Sequence, residues 1–159
     1  MNENIIVRPA VVNDAEAISN LLACYAEKQI ILPRTIDEII SHIDRFMIAY
    51  APGSGVVGCV ALRDFGNGLA EVRSLVVSDA FHGQGIGSKL VNAVIIRCRA
   101  SGHKRLFALT YRTDFFIRLG FHQVTKDLFP EKIWSDCSVC PKKDRCDEDA
   151  VLIEIERPK

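Results

Sequence analysis

The apolar positions change period several times along the chain, and each change predicts an element. "IIVRPA" at 5–10 reads as a strand. Beyond it Ile18, Leu21, Leu22 and Tyr25 recur at the spacing of one helix face, with Asn13 and Glu16 placed as a capping box ahead of them. Thr35 and Glu38 repeat that spacing after Pro33, and Ile36, Ile39, Ile40 and Ile43 predict the buried face of a second helix. The texture then turns to β. "FMIAYAP", "GVVGCVALRDF" and "LAEVRSLVVS" are separated by Pro-Gly-Ser-Gly and Gly-Asn-Gly, the turn chemistry of a three-stranded meander. Ile86, Leu90, Val91, Val94, Ile95 and Cys98 return to helical spacing, and Gly102 predicts where that helix stops. "RLFALT" is the next strand, "DFFIRLG" a short helix, "FHQV" the start of a strand that Gly120 sets apart from it, and "AVLIEIE" a final strand.

Neither a repeat nor a linker divides the 159 residues, so one domain over 1–159 is expected. Lysine plus arginine equal aspartate plus glutamate at 20 each, which argues against the basic footprint of a nucleic-acid binder and for a small-molecule partner. There is no basic segment followed by an apolar core at the N-terminus, and no run approaches the roughly 18 apolar residues of a spanning helix. No membrane partner is expected, and the protein is read as cytoplasmic. Whether it is a monomer or a homodimer stays open. Of six cysteines, Cys24, Cys59 and Cys98 lie in apolar-periodic segments as small core hydrophobes.

The stretch "FHGQGIGSKL" at 81–90 sits between a predicted strand and a predicted helix, where bare backbone amides and a positive dipole end suit phosphate. A dinucleotide fingerprint needs a third glycine, but its place holds Ser88 counted from Gly83 and Leu90 counted from Gly85. A P-loop needs Gly-Lys-Ser/Thr, and the order here is Gly87, Ser88, Lys89. "HGQGIG" instead resembles the acyl-CoA motif of the GNAT superfamily of N-acetyltransferases, Gln/Arg-x-x-Gly-x-Gly/Ala, with Gly85 and Gly87 in the glycine places and His82 where the family usually has Gln or Arg. "AEVRSLVVSDAFHGQGIGSKLVNAVI" is similar to that family's central strand, loop and helix, and "DFFIRLGF" to its "FYxxLGF" segment.

The resemblance implies an α/β (α+β) GNAT fold, a single mixed, mostly antiparallel sheet flanked by helices, with acetyl-CoA as cosubstrate. It implies that the backbone of Leu75, Val76 and Val77 pairs with the pantetheine arm, that the pyrophosphate reaches the amides of Gly83, Gln84, Gly85, Ile86, Gly87 and Ser88, and that His82 belongs to the same cofactor set. Phe116, in the "FYxxLGF" segment, belongs to the same cofactor set.

Acetyl transfer needs a neutral amine, and amino groups with a pKa of about 8 or higher are mostly protonated at neutral pH. Glu71 occupies the place where many members of the family carry a general-base glutamate, and strand alternation would set Arg73 on its face. Relatives often protonate the leaving thiolate with a tyrosine; that place is Phe116 here, which leaves Tyr111 or simple thiolate release.

"LPRTIDEIISHIDRFMIA", "LAEVRSLVV" and "LFALTYRTDFFIRLGF" resemble the acetyltransferase domain of N-acetylglutamate synthases, including the phenylalanine in the tyrosine place. This implies an L-glutamate acceptor at the first step of arginine biosynthesis. Carboxylates call for arginine, whose planar fork pairs bidentately; Arg34, Arg73 and Arg112 are the candidates. The arginine-sensing kinase-like domain of larger synthases has no counterpart in the sequence, so feedback of that form is not expected. The alternatives are another small amine or a protein N-terminus as acceptor, or a non-catalytic acyl-CoA or metal sensor.

The polar loop at about 126–149 carries Cys137, Cys140 and Cys146, three of the four ligands a structural zinc wants; the fourth is not evident, and His122, Asp136, Asp147 and Glu148 are the nearby nitrogen and oxygen donors that leave such a site open. No metal is assigned; free thiols and a redox disulfide are the other readings.

Overall fold

The structure, a computed structural model, describes residues 4–27, 35–125 and 149–155. Seven strands form one mixed sheet in the order β1-β2-β3-β4-β5-β7-β6. They are β1 (Ile6–Pro9), β2 (Phe46–Ala51), β3 (Gly55–Gly66), β4 (Leu69–Val77), β5 (Arg105–Thr110), β6 (His122–Val124) and β7 (Asp149–Glu154). The helices are α1 (Ala15–Glu27), α2 (Ile36–Ser41), α3 (Ile86–Ser101) and α4 (Thr113–Arg118). The expected mostly antiparallel sheet with flanking helices is what forms. The described residues fall into two compact units: those up to Arg63 together with Val72–Arg97, and Asp64–Glu71 together with those from Cys98 onward.

In the first unit β2 pairs antiparallel with β1 and with β3. Its core joins Ile18 and Leu22 of α1, Ile39 of α2, Phe46 and Ile48 of β2, Cys59 of β3 and Val76 of β4. Burial pushes the Cys59 thiol up to about 12, so it is the inert core residue its apolar surroundings predict. The predicted stripe of α3 is buried throughout, from Ile86 to Cys98. It meets β3 at Gly58, where a Cβ would come within 3.1 Å of the Val76 carbonyl and 3.2 Å of Leu90.

Two expectations need correction. The Asn13–Glu16 capping box is replaced by a 3-10 turn over Val12–Asp14. Asp14 accepts the Val11 amide at 2.8 Å, and the Arg8 guanidinium reaches both of its carboxylate oxygens at 2.8 and 3.2 Å. That pairing holds the Asp14 carboxyl below the usual carboxylate range, with the Arg8 hydrogen bond as the largest cause. The second helix is also shorter and less covered than its isoleucines suggest. Its capping box forms, Glu38 N–H donating to Thr35 Oγ1 at 3.1 Å and Thr35 N–H to Glu38 Oε1 at 3.2 Å. It ends at Ser41, however, and only Ile39 is fully buried, while Ile36 and Ile40 are exposed.

In the second unit the start of β4 runs parallel to β5, with Leu69, Ala70 and Glu71 opposite Arg105, Leu106 and Phe107. β7 lies antiparallel between β5 and β6. Leu69, Phe107, Ala150 and Leu152 form the core, with the Phe65 ring 5.9 Å from that of Phe107. Both glycine stops form as expected. Gly102 and Gly120 are left-handed at φ of 82° and 105°. The next amides, His103 and Phe121, bond back to the carbonyls of Cys98 and Phe116 at 3.0 and 3.1 Å, the paired closure of a Schellman end. Among the described residues, no helix is long and apolar enough to cross a membrane.

Candidate active site

The end of β4 has a definite polarity. The Ser78 amide donates to the Val57 carbonyl of β3 at 2.8 Å, and the Val76 carbonyl faces Gly58 on the same strand. Backbone groups of successive strand residues turn to alternate edges, so Leu75 and Val77 direct theirs away from β3. Of the three residues expected to pair with pantetheine, Leu75 and Val77 turn their backbone groups to that edge, where the Val77 carbonyl meets His82, while Val76 turns its own toward β3 and buries its side chain in the core.

A 3-10 turn over Asp79–Phe81 follows, closed by the Phe81 amide to the Ser78 carbonyl at 2.8 Å. His82 Nε2 lies 2.7 Å from the Val77 carbonyl oxygen. Gly83 and Gly85 then take φ of 81° and 76°, and a Cβ on either would meet nothing within 4 Å. Conformation rather than crowding is what calls for glycine there. The first helical bond runs from the Lys89 amide to the Gly85 carbonyl at 3.1 Å. The amides of Ile86, Gly87 and Ser88 precede it and have no acceptor within the helix. Their surroundings are also unusual in charge. The first turns of α1, α2 and α4 hold Glu16, Asp37 with Glu38, and Asp114, whereas that of α3 holds no carboxylate. A sixteen-residue helix with no carboxylate in its first turn presents a positive end of the kind that suits an anion.

In the second unit Glu71 closes the β4–β5 ladder opposite Phe107 and is only 3% exposed. Among the described residues the buried polar or charged side chains are Asp14, Glu71 and Thr110. Asp14 pairs with Arg8, the Thr110 hydroxyl accepts the Arg112 amide at 2.7 Å, and Glu71 too is engaged within the fold. A desolvated carboxylate in mid-sheet suits proton abstraction far better than a surface glutamate does. Arg73 follows two residues along β4, half-buried, and Ser74 after it is left-handed at φ 54°, which breaks the strand's alternation beyond Arg73.

Phe116 is buried edge-on between Phe115 and Phe121, each ring centroid 5.1 Å away. Tyr111 is 45% exposed, and Arg112 is exposed at the start of α4. The Thr113 hydroxyl donates to Asp149 at 2.6 Å and ties α4 to β7. Arg34 and Cys137, Cys140 and Cys146 lie outside the described residues. Among the described residues, no group of three His, Cys, Asp or Glu side chains could hold a metal. Sequence reasoning missed the left-handed Ser74 and the bond between His82 and Val77. Neither has a local signal, since serine is an ordinary strand residue and a histidine does not announce its acceptor.

Comparison with known proteins agrees with this geometry. The model of the acetyltransferase (GNAT) family matches residues 15–122, from the start of α1 to the start of β6. An uncharacterised N-acetyltransferase of Chlorobaculum tepidum is 41% identical over 92% of this chain and 94% of its own. An amino-acid acetyltransferase of Mycobacterium tuberculosis is 35% identical over 79% of this chain and 76% of its own. The crystal structure of N-acetylglutamate synthase from Neisseria gonorrhoeae, complexed with coenzyme A and N-acetyl-glutamate, superposes with a TM-score of 0.85 at 26% identity. That match takes in 99% of this chain and 36% of the Neisseria chain. The glycine loop, the buried glutamate of β4 and these matches converge, and the chain belongs to the GNAT acetyltransferase family.

Proposed function

We propose that the protein transfers acetyl from acetyl-CoA to the α-amine of L-glutamate, as one catalytic domain. Membership of the family makes it an acetyl-CoA-dependent N-acetyltransferase. For an amino-acid acceptor, the observation that carries the reading is the 35% identity to an amino-acid acetyltransferase over 79% of the chain. In this reading the amides at the start of α3 take the pyrophosphate, and backbone of Leu75 and Val77 pairs with the pantetheine arm. Glu71 removes a proton from the ammonium group, directly or through water. The neutral nitrogen attacks the thioester carbonyl, a C–N bond forms, the C–S bond breaks as CoA leaves as thiolate, and the nitrogen sheds its second proton to solvent water to give the amide. Phe116 has no proton to give, so the thiolate departs without a dedicated acid. Arg73 and Arg112 are assigned to the acceptor's carboxylates, together with Arg34. Arginine biosynthesis is the pathway this activity would serve.

Glu71→Gln tests the reading in an assay with acetyl-CoA and L-glutamate. The variant should lose about 10²–10⁴-fold in kcat while binding CoA as the wild type does. Undiminished turnover would remove Glu71 from the chemistry, and a wild type that binds CoA but acetylates no amine would favour a sensor.

A further inference from the structure

His82 departs from the Gln or Arg usual at the head of the glycine loop, and its geometry shows what the three side chains share. A carbonyl oxygen only accepts, so the 2.7 Å contact with Val77 requires that His82 Nε2 carry a proton and donate it. Gln and Arg also end in N–H donors. The ring crosses the 3-10 turn, and its own backbone amide closes that turn onto the Asp79 carbonyl at 3.3 Å. The Asp79 carboxylate stands farther from Nε2, at 3.7 Å, and is largely exposed, so the carbonyl is the nearer partner. The residue that launches Gly83 is thereby fixed to the last residue of β4, one of the two whose backbone faces away from β3.

We propose that His82 is a positioning residue for the cofactor: its Nε2–H clamps the Val77 carbonyl and holds the phosphate loop in register with the strand end that takes the pantetheine arm. The proposal rests on the CoA reading above. The clamp presets a spacing that CoA would otherwise have to impose on binding, so it acts on affinity rather than on the acetyl-transfer step. It also explains why histidine is admissible here, because the place requires a donor and not a positive charge.

The test compares wild type, His82→Ala and His82→Gln by CoA titration and by steady-state kinetics. His82→Ala should weaken CoA binding and raise KM for acetyl-CoA by about fivefold, the size of one neutral hydrogen bond, with kcat unchanged. His82→Gln, which returns an N–H at nearly the same reach, should restore wild-type values. Equal affinity in His82→Ala, or equal loss in both variants, overturns the clamp. Nitrogen-15 NMR of the unliganded protein gives a readout independent of CoA: the His82 ring should be protonated at Nε2, and an Nδ1–H tautomer overturns the proposal. A wild type with that Nε2–H signature but no affinity for CoA would instead overturn the cofactor reading.

Discussion

The Arg8–Asp14 pair shows how much one residue can decide that spacing rules leave out. Asp14 combines a carboxylate with an otherwise orphaned amide at Val11, and a buried carboxylate with two such partners outcompetes Asn13 as the cap of the first helix. Asp14→Asn should therefore destabilise the fold by about 1–2 kcal/mol in urea melts near neutral pH, the lower end being favoured because Arg8 is 37% exposed. The pH dependence has a definite sign. A carboxyl depressed in the folded state stabilises above its unfolded pKa of about 4 and stops doing so as pH falls through the lower folded value. The gap between wild type and Asp14→Asn should close in acid; a gap that persists or widens below that range would contradict the pairing. At the same scale the sequence singles out Glu71 by its distance from the glycine loop, whereas its 3% exposure is seen only in the folded chain.

Among the elements, the strength of the hydrophobic period sets how well each is read. The α3 stripe runs over more than three turns, and all six predicted positions are buried. The stripe of α2 spans two turns at most, and tertiary context leaves Ile36 and Ile40 on the surface. Glycine stops at Gly102 and Gly120 were legible because a left-handed C-cap has a strong residue preference. The seating of α3 on β3 was not, since Gly58 reads as an ordinary weak point in a strand. Its closeness to the Val76 carbonyl and to Leu90 makes it a contact position instead. Gly58→Ala should cost about 1–3 kcal/mol through forced displacement of β4 or α3. It should also weaken CoA binding, because both elements flank the glycine loop. A change within about 0.5 kcal/mol, ordinary for surface substitutions, would mean that α3 is not seated against Gly58.

For the whole molecule, the fold and the cofactor were the most legible features and the acceptor the least. The β2-β3-β4 order follows from two short turns, whereas the place of β7 between β5 and β6 has no such local signal; the cofactor follows from a glycine register that fits one phosphate-binding motif and excludes two others. Acceptor choice depends instead on arginines and loops brought together from distant parts of the chain, and Arg34 and the cysteine loop lie outside the described residues. The similar chains mirror this division. They share the acetyltransferase family, yet the Chlorobaculum tepidum relative is described by its reaction alone and the Mycobacterium tuberculosis relative by an amino-acid acceptor. The most direct measurement is the rate of thiol release from acetyl-CoA across the common amino acids and polyamines, with the acetylated product identified by mass. L-Glutamate should give the highest kcat/KM, with acetyl on its α-nitrogen. Turnover with lysine or spermidine and none with glutamate would contradict the assignment.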